Sequence, residues 1–202
     1  MLKHAGERKL SPKFISIHAD WASFNSSIKP IRLIKATDGR YYEVRKTPFA
    51  LFSIGTEPIK ELSNIKSNIE WAEGFQLNIP KIPSLIRWQI YERFKEAFPN
   101  ECLLNICFDE DKMRFYLVEP EQVASASSVE YLKTDNLVIM EIHSHGRARA
   151  YFSKTDDADE LATGFYGVIG KVNTLKPELR VRYSCGGRYK EFDPSKIFDM
   201  EV

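Results

Sequence analysis

The sequence predicts an α+β chain with a small β-rich N-terminal part, and three observations carry that expectation. Residues 31–54 are strand-like runs separated by Thr37-Asp38-Gly39-Arg40 and closed by Gly55. From Ser84 onward apolar residues recur every three to four positions, the period of a helix. Beyond Pro99-Asn100 the strand-like runs return, and one of them ends in His143-Ser144-His145.

In chain order, residues 1–13 read as a loosely held terminus that lacks the apolar centre of a secretory signal. Phe14-Ile15-Ser16-Ile17-His18 alternates and predicts a short strand. His18 reads as an ordinary surface or core histidine. Asp38-Gly39 between two strand-like runs is a hairpin signal, because the tight turn needs a positive φ that glycine adopts freely. Residues 49–54 complete a β-meander. Residues 58–71 give mixed signals, and residues 74–83 are extended and proline-punctuated. A boundary near residues 80–83 separates a β-rich domain or extension, 1–80, from a second domain, 81–202.

In that second part Leu85, Trp88, Tyr91 (or Ile90), Phe94 and Phe98 define an apolar helix face, with Arg87, Glu92, Arg93, Lys95 and Glu96 between. Pro99-Asn100 ends it. Residues 101–108 and 113–118 read as two strands joined by Asp109-Glu110-Asp111-Lys112. Residues 161–172 start helical and become strand-like. Residues 179–185 alternate apolar and basic, as a half-exposed strand does. Gly186-Gly187 turns the chain so that residues 188–192 pair back. Arg147, Arg149, Arg180, Arg182 and Arg188 read as a solvated face.

Composition removes several classes of function. The 29 basic and 28 acidic residues nearly cancel, which argues against a nucleic-acid binder that depends on neutralising phosphates. No apolar run approaches the ~20 residues of a membrane span. Cys102, Cys107 and Cys185 show no metal or redox spacing, and an odd, low count fits a reducing cytoplasm. They read as small buried apolar residues.

Chemistry concentrates in MEIHSHGRARAYFSKTD, residues 140–156. The run 137–143 predicts a buried strand. Alternate strand residues share a face, so His143 and His145 point the same way and Ser144 the other. Two neutral imidazoles make half of a tetrahedral zinc shell. Ser153-Lys154-Thr155-Asp156 has the form that opens a helix, which places a carboxylate in a held first turn. The intervening loop is long enough to return it to the histidines. Two His and one Asp leave a fourth position open, the arrangement of a catalytic rather than a structural zinc.

The order His-Ser-His, seven residues, Ser, two residues, Asp resembles the JAB/MPN metalloprotease signature, also called JAMM. The helix, strand and hairpin ahead of it resemble the same fold. That resemblance implies a cytidine-deaminase-like mixed sheet flanked by helices and a Zn²⁺-dependent peptidase or isopeptidase. It implies His143, His145 and Asp156 as zinc ligands, Ser153 as the donor to the oxyanion, and Glu101 at the mouth of its strand as general base. This chain has Leu104 where the family usually keeps glycine and Gly146 where proline is common. Glu141 is the rival base or a partner that orients a histidine, since it shares the strand face of His143. Strand neighbours at that pitch lie ~7 Å apart, which favours Glu101.

The stretches TDDADELATGFYGVIGKV and RVRYSCGG resemble a narrower group of prokaryotic JAB proteins, those of ParB-related, ThiF-related (PRTRC) cassettes. That setting implies a ubiquitin-like protein or its conjugate as substrate and an E1-like ThiF protein as neighbour. The competing expectation is a non-catalytic MPN-like scaffold that binds protein partners.

Overall fold

The computed structural model describes residues 12–132 and 136–200. The loose terminus expected over residues 1–13 lies outside them up to residue 11; Pro12–Phe14 form a 3-10 turn. The chain divides into two compact units, Met1–Gln76 and Leu77–Val202. No helix among the described residues is long and apolar enough to cross a membrane.

The first unit is built on β1 (Ile15–His18), α1 (Trp21–Ser26), β2 (Ile31–Lys35), β3 (Tyr41–Lys46), β4 (Ala50–Thr56) and β5 (Gly74–Leu77). The sheet runs β1-β2-β3-β4-β5. β2, β3 and β4 form the antiparallel meander, and the hairpin closes with Lys35 opposite Tyr41. Gly39 sits there at φ +85°, a conformation that other residues resist. The short α1 has no strong sequence period; Asp20 caps it by accepting from the Ser23 backbone N–H. Phe24, Ile34, Tyr42, Val44 and Ile69 form the core of this unit. His18 is buried here, its ring nitrogens meeting Ser23 Oγ at 3.1 Å and Ser16 Oγ at 2.7 Å.

The second unit contains α2 (Ser84–Ala97), β6 (Leu103–Asp109), β7 (Arg114–Val118), β8 (Gln122–Ala124), β9 (Val129–Tyr131), β10 (Val138–Ser144), α3 (Lys154–Asp159), β11 (Gly164–Gly170), β12 (Glu178–Ser184) and β13 (Tyr189–Phe192). Its six-stranded sheet has the order β13-β12-β11-β10-β6-β7. β10 and β11 are parallel and the other pairs antiparallel, so the sheet is mixed. β6 and β11 are buried along nearly their whole length, which explains their continuous apolar sequence at the sheet centre. β8 and β9 form a separate small hairpin.

Two expectations are corrected. The buried stripe of α2 is Ile86, Ile90 and Phe94, whereas Leu85 and Trp88 are 60% and 58% exposed. Both stripes obey the helical period, so spacing alone does not choose between them; packing beside the sheet does. Arg182, read as solvated, is only 4% exposed. Leu104 is a buried β6 residue opposite Ile142.

The corrected helix face has a direct consequence. Phe94→Ala should destabilise the chain by about 3–5 kcal/mol in urea unfolding, and Leu85→Ala should stay within about 0.5 kcal/mol. Comparable losses at the two positions would overturn the assignment.

Candidate metal centre

The site begins with strand register. β10 pairs antiparallel with β6, His143 opposite Leu103 and Glu141 opposite Asn105. Carried to the end of the pair, that register sets His145 opposite Glu101. Directly opposed residues lie on one face, so Glu101, Leu103, Glu141, His143 and His145 all line one cavity of about 260 Å³. Ser144 faces the other way and is 1% exposed. Its Oγ accepts from the Cys102 N–H at 3.0 Å, and its own N–H donates to the Cys102 carbonyl at 2.9 Å. The middle residue of His-Ser-His thus ties down the residue that follows Glu101. On the other side, the Glu101 N–H donates to the Ser125 carbonyl at 2.7 Å, in the turn of the β8–β9 hairpin.

His145 lies one residue beyond β10, yet its backbone is still held: its N–H donates to Ile169 O at 2.9 Å. The chain then turns through Gly146 at φ +50°. Proline, which fixes φ near −65°, has no access to that conformation, so glycine here sets a different path for the loop. The loop lies against the end of β11, where Lys171 N–H donates to Ala148 O at 2.7 Å. A Cβ on Gly170 would stand 2.1 Å from Ala150 N and 2.3 Å from Arg149 C, so the close approach requires glycine.

α3 begins with a capping box. Ser153 Oγ accepts from Asp156 N–H at 3.2 Å, and Asp156 Oδ2 accepts from the Ser153 N–H. The second carboxylate oxygen, Oδ1, lies 3.5 Å from His143 Nε2. His143 Nε2 and His145 Nε2 are 3.0 Å apart. One ligand atom from each of His143, His145 and Asp156 falls within 4.8 Å of the others. Ligands at zinc distances of ~2.0–2.1 Å in a tetrahedron lie about 3.3 Å from each other, so two edges of this triangle already match.

Protonation suits the same use. Burial lowers the pKa of His143, with Asp156 opposing, and burial likewise lowers that of His145. Both rings are therefore neutral near pH 7, and the His143–Asp156 contact is not an ion pair there. Two buried imidazole nitrogens facing each other and a carboxylate oxygen make an acceptor-rich set that a cation satisfies. His145 Nδ1 is buried without a well-formed hydrogen bond, although the Arg149 backbone lies close enough to raise the pKa slightly against burial.

Burial, with the Asp156 charge added, pushes the Glu101 carboxyl up to about 7. Glu141 is engaged differently: its Oε2 accepts from the Tyr131 hydroxyl. Tyr151 sets its ring edge-on to His145 with centroids 4.6 Å apart and is 47% exposed at the cavity wall. Ser127, Ser128, Val129 and Tyr131 of the β8–β9 hairpin also line the cavity. None of these hairpin residues was singled out in the sequence, since two three-residue strands around a serine-rich turn leave almost no period to read. Cys102 and Cys107 are buried thiols pushed up to about 11, which makes them inert.

Fold and site together define a mixed-sheet α+β domain with a three-residue cluster suited to a metal. Residues 85–185, half of the chain, match the model of prokaryotic homologs of the JAB domain, and the chain belongs to that family. No curated protein matches it. Among solved structures it is similar to the solution structure of protein DSY2949 from Desulfitobacterium hafniense, at 16% identity and a TM-score of 0.42, over 55% of this chain and 88% of that one.

The Glu101 carboxyl ionises more readily in the unfolded chain, near 4.5, than in the folded one, at about 7. Ionisation across that window favours unfolding, and the cost levels off above it. Glu101→Gln should therefore stabilise metal-free protein by about 1–2 kcal/mol at pH 8, after allowance for the screening of a half-buried group, and have no such effect below pH ~4.5. Urea titrations at both pH values read this directly. Gly170→Ala should cost about 2 kcal/mol or more, because the added methyl meets backbone rather than a flexible side chain; unchanged stability would show that the loop is not held as described.

Proposed function

We propose that this chain is a zinc-dependent metallopeptidase or isopeptidase of JAMM type, which hydrolyses a peptide or isopeptide bond at the C-terminus of a ubiquitin-like protein or its conjugate. The observation that carries this reading is the convergence of His143, His145 and Asp156, with Glu101 and Ser153 on the wall of the same cavity. Membership of a family that includes metalloproteases supports it. The narrower resemblance to the PRTRC cassette proteins supports the substrate class and an E1-like ThiF neighbour.

His143 Nε2, His145 Nε2 and Asp156 Oδ1 would hold the ion. When bound, zinc supplies Lewis acidity: it lowers the pKa of water towards ~7 and polarises a carbonyl. Glu101 takes the proton of the attacking water and returns it to the leaving amine. Its carboxyl lines the same cavity as the three candidate ligands, where a general base can both accept and donate that proton. Ser153 Oγ already accepts from the backbone of Asp156, so its own hydrogen is free to be donated to the oxygen of the attacked carbonyl. Loss of one such donor costs ~3 kcal/mol of transition-state stabilisation. Glu141, committed to Tyr131, is a worse base than Glu101 and serves the cavity wall. An extended tail that adds as a strand beside the site would present its last peptide bond to this group.

The test uses a fusion of the cassette's ubiquitin-like protein to a C-terminal reporter. Glu101→Gln should retain stoichiometric zinc and lose cleavage by about 10²–10⁴-fold. Asp156→Asn, which keeps an acceptor for the helix cap, should lose zinc and cleavage together. Wild-type protein that takes up no zinc and cleaves nothing would leave the MPN-like scaffold as the better reading.

A further inference from the structure

Asp156 sits on a helix with no apolar reason to stay in place. α3 is six residues long and buries none of them. Its sequence is acidic: Asp156, Asp157, Asp159 and the following Glu160 crowd like charges together. A cation from the sheet bonds it near both ends. Arg182 of β12 pairs with Tyr166 of β11, which pairs with Glu141 of β10, so Arg182 stands on the face of the sheet that carries the cavity. Its Nη1 donates to Asp157 Oδ1 at 2.6 Å and its Nε to Glu160 Oε2 at 2.7 Å. The guanidinium therefore grips the residue directly after Asp156 and also the cap at the far end of the helix.

The grip is itself fixed. The Arg182 Cζ lies 4.0 Å over the Phe152 ring on one side and 4.0 Å over the Tyr189 ring on the other. Phe152 immediately precedes the helix cap Ser153, and the Tyr189 hydroxyl donates to the Asp157 carbonyl. A planar, forked cation that stacks on two rings and bonds two carboxylates uses properties that lysine lacks. A buried charge of this kind is a poor source of stability, because desolvation offsets much of the attraction.

We propose that Arg182 is the positioning residue of the metal centre: sandwiched between Phe152 and Tyr189, it clamps α3 so that the Asp156 carboxylate is held in register with the two histidines. The inference rests on the reading of His143, His145 and Asp156 as a zinc site, and its test has one arm that does not depend on zinc.

The first arm is amide hydrogen exchange on the full, metal-free chain. Arg182→Gln should speed exchange at Asp157 and Glu160, whose N–H groups close α3 by donating to Ser153 O and Asp156 O, and leave β10 and β11 protected as in wild type. The second arm is zinc affinity by competition with a chromogenic chelator. Arg182→Gln should bind zinc 10–100-fold more weakly, the usual effect of losing a residue that orients a ligand, and Arg182→Lys should recover only part of it. Tyr189→Phe keeps the stacking ring and should give a smaller loosening of α3, which also carries the test if Arg182→Gln does not fold. Wild-type exchange across residues 154–160 in these variants would overturn the proposal. So would a rise in exchange spread evenly over β10–β12, since that is a general loss of stability. Wild-type protein without measurable zinc affinity would instead overturn the metal reading, and the exchange arm would still decide whether Arg182 holds α3.

Discussion

Everything in the site depends on the pairing of two strand ends. The reciprocal bonds between Ser144 and Cys102 lock β10 against the entry to β6. A slip of one residue would turn every side chain of β10 to the opposite face. His143 and His145 would then enter the core, and Ser144 would face the cavity. The burial of Met140 and Ile142 on the reverse face opposes that slip with the hydrophobic cost of exposing them. The face that lines the cavity is thus specified by the apolar face behind it.

A second constraint acts through backbone rather than side chains. The loop after His145 is threaded between a left-handed Gly146 and the bare Cα of Gly170. These two positions let the chain reverse tightly enough to bring Ser153 back to the strand it has just left. The corner is secured by hydrogen bonds from the Val172 N–H to the Gly146 carbonyl and from the Lys171 N–H to the Ala148 carbonyl.

Much of this was legible in the sequence, and the reasons are local. The meander of the first unit follows from Asp38-Gly39 and alternation, and the His-Ser-His strand from an apolar run with period two. The capping box follows from Ser153 and Asp156 alone. What escaped was decided by tertiary contact. The apolar residues of α2 satisfy two overlapping stripes, and only the sheet selects Ile86, Ile90 and Phe94. Arg182 looks like any basic residue on an alternating strand until Phe152, Asp157, Glu160 and Tyr189 close around it from distant parts of the chain. The bond from Tyr131 to Glu141 also went unread, because Tyr131 arrives from a hairpin too short to show a period.

The Asp156 carboxylate has its two oxygens assigned to different tasks, one to the Ser153 N–H and one towards His143. Helix initiation and the geometry of the three-residue cluster are consequently drawn from the same three atoms. A lineage that lost this aspartate would also fray the start of α3, so the change would leave a visible scar in the backbone rather than an intact shell.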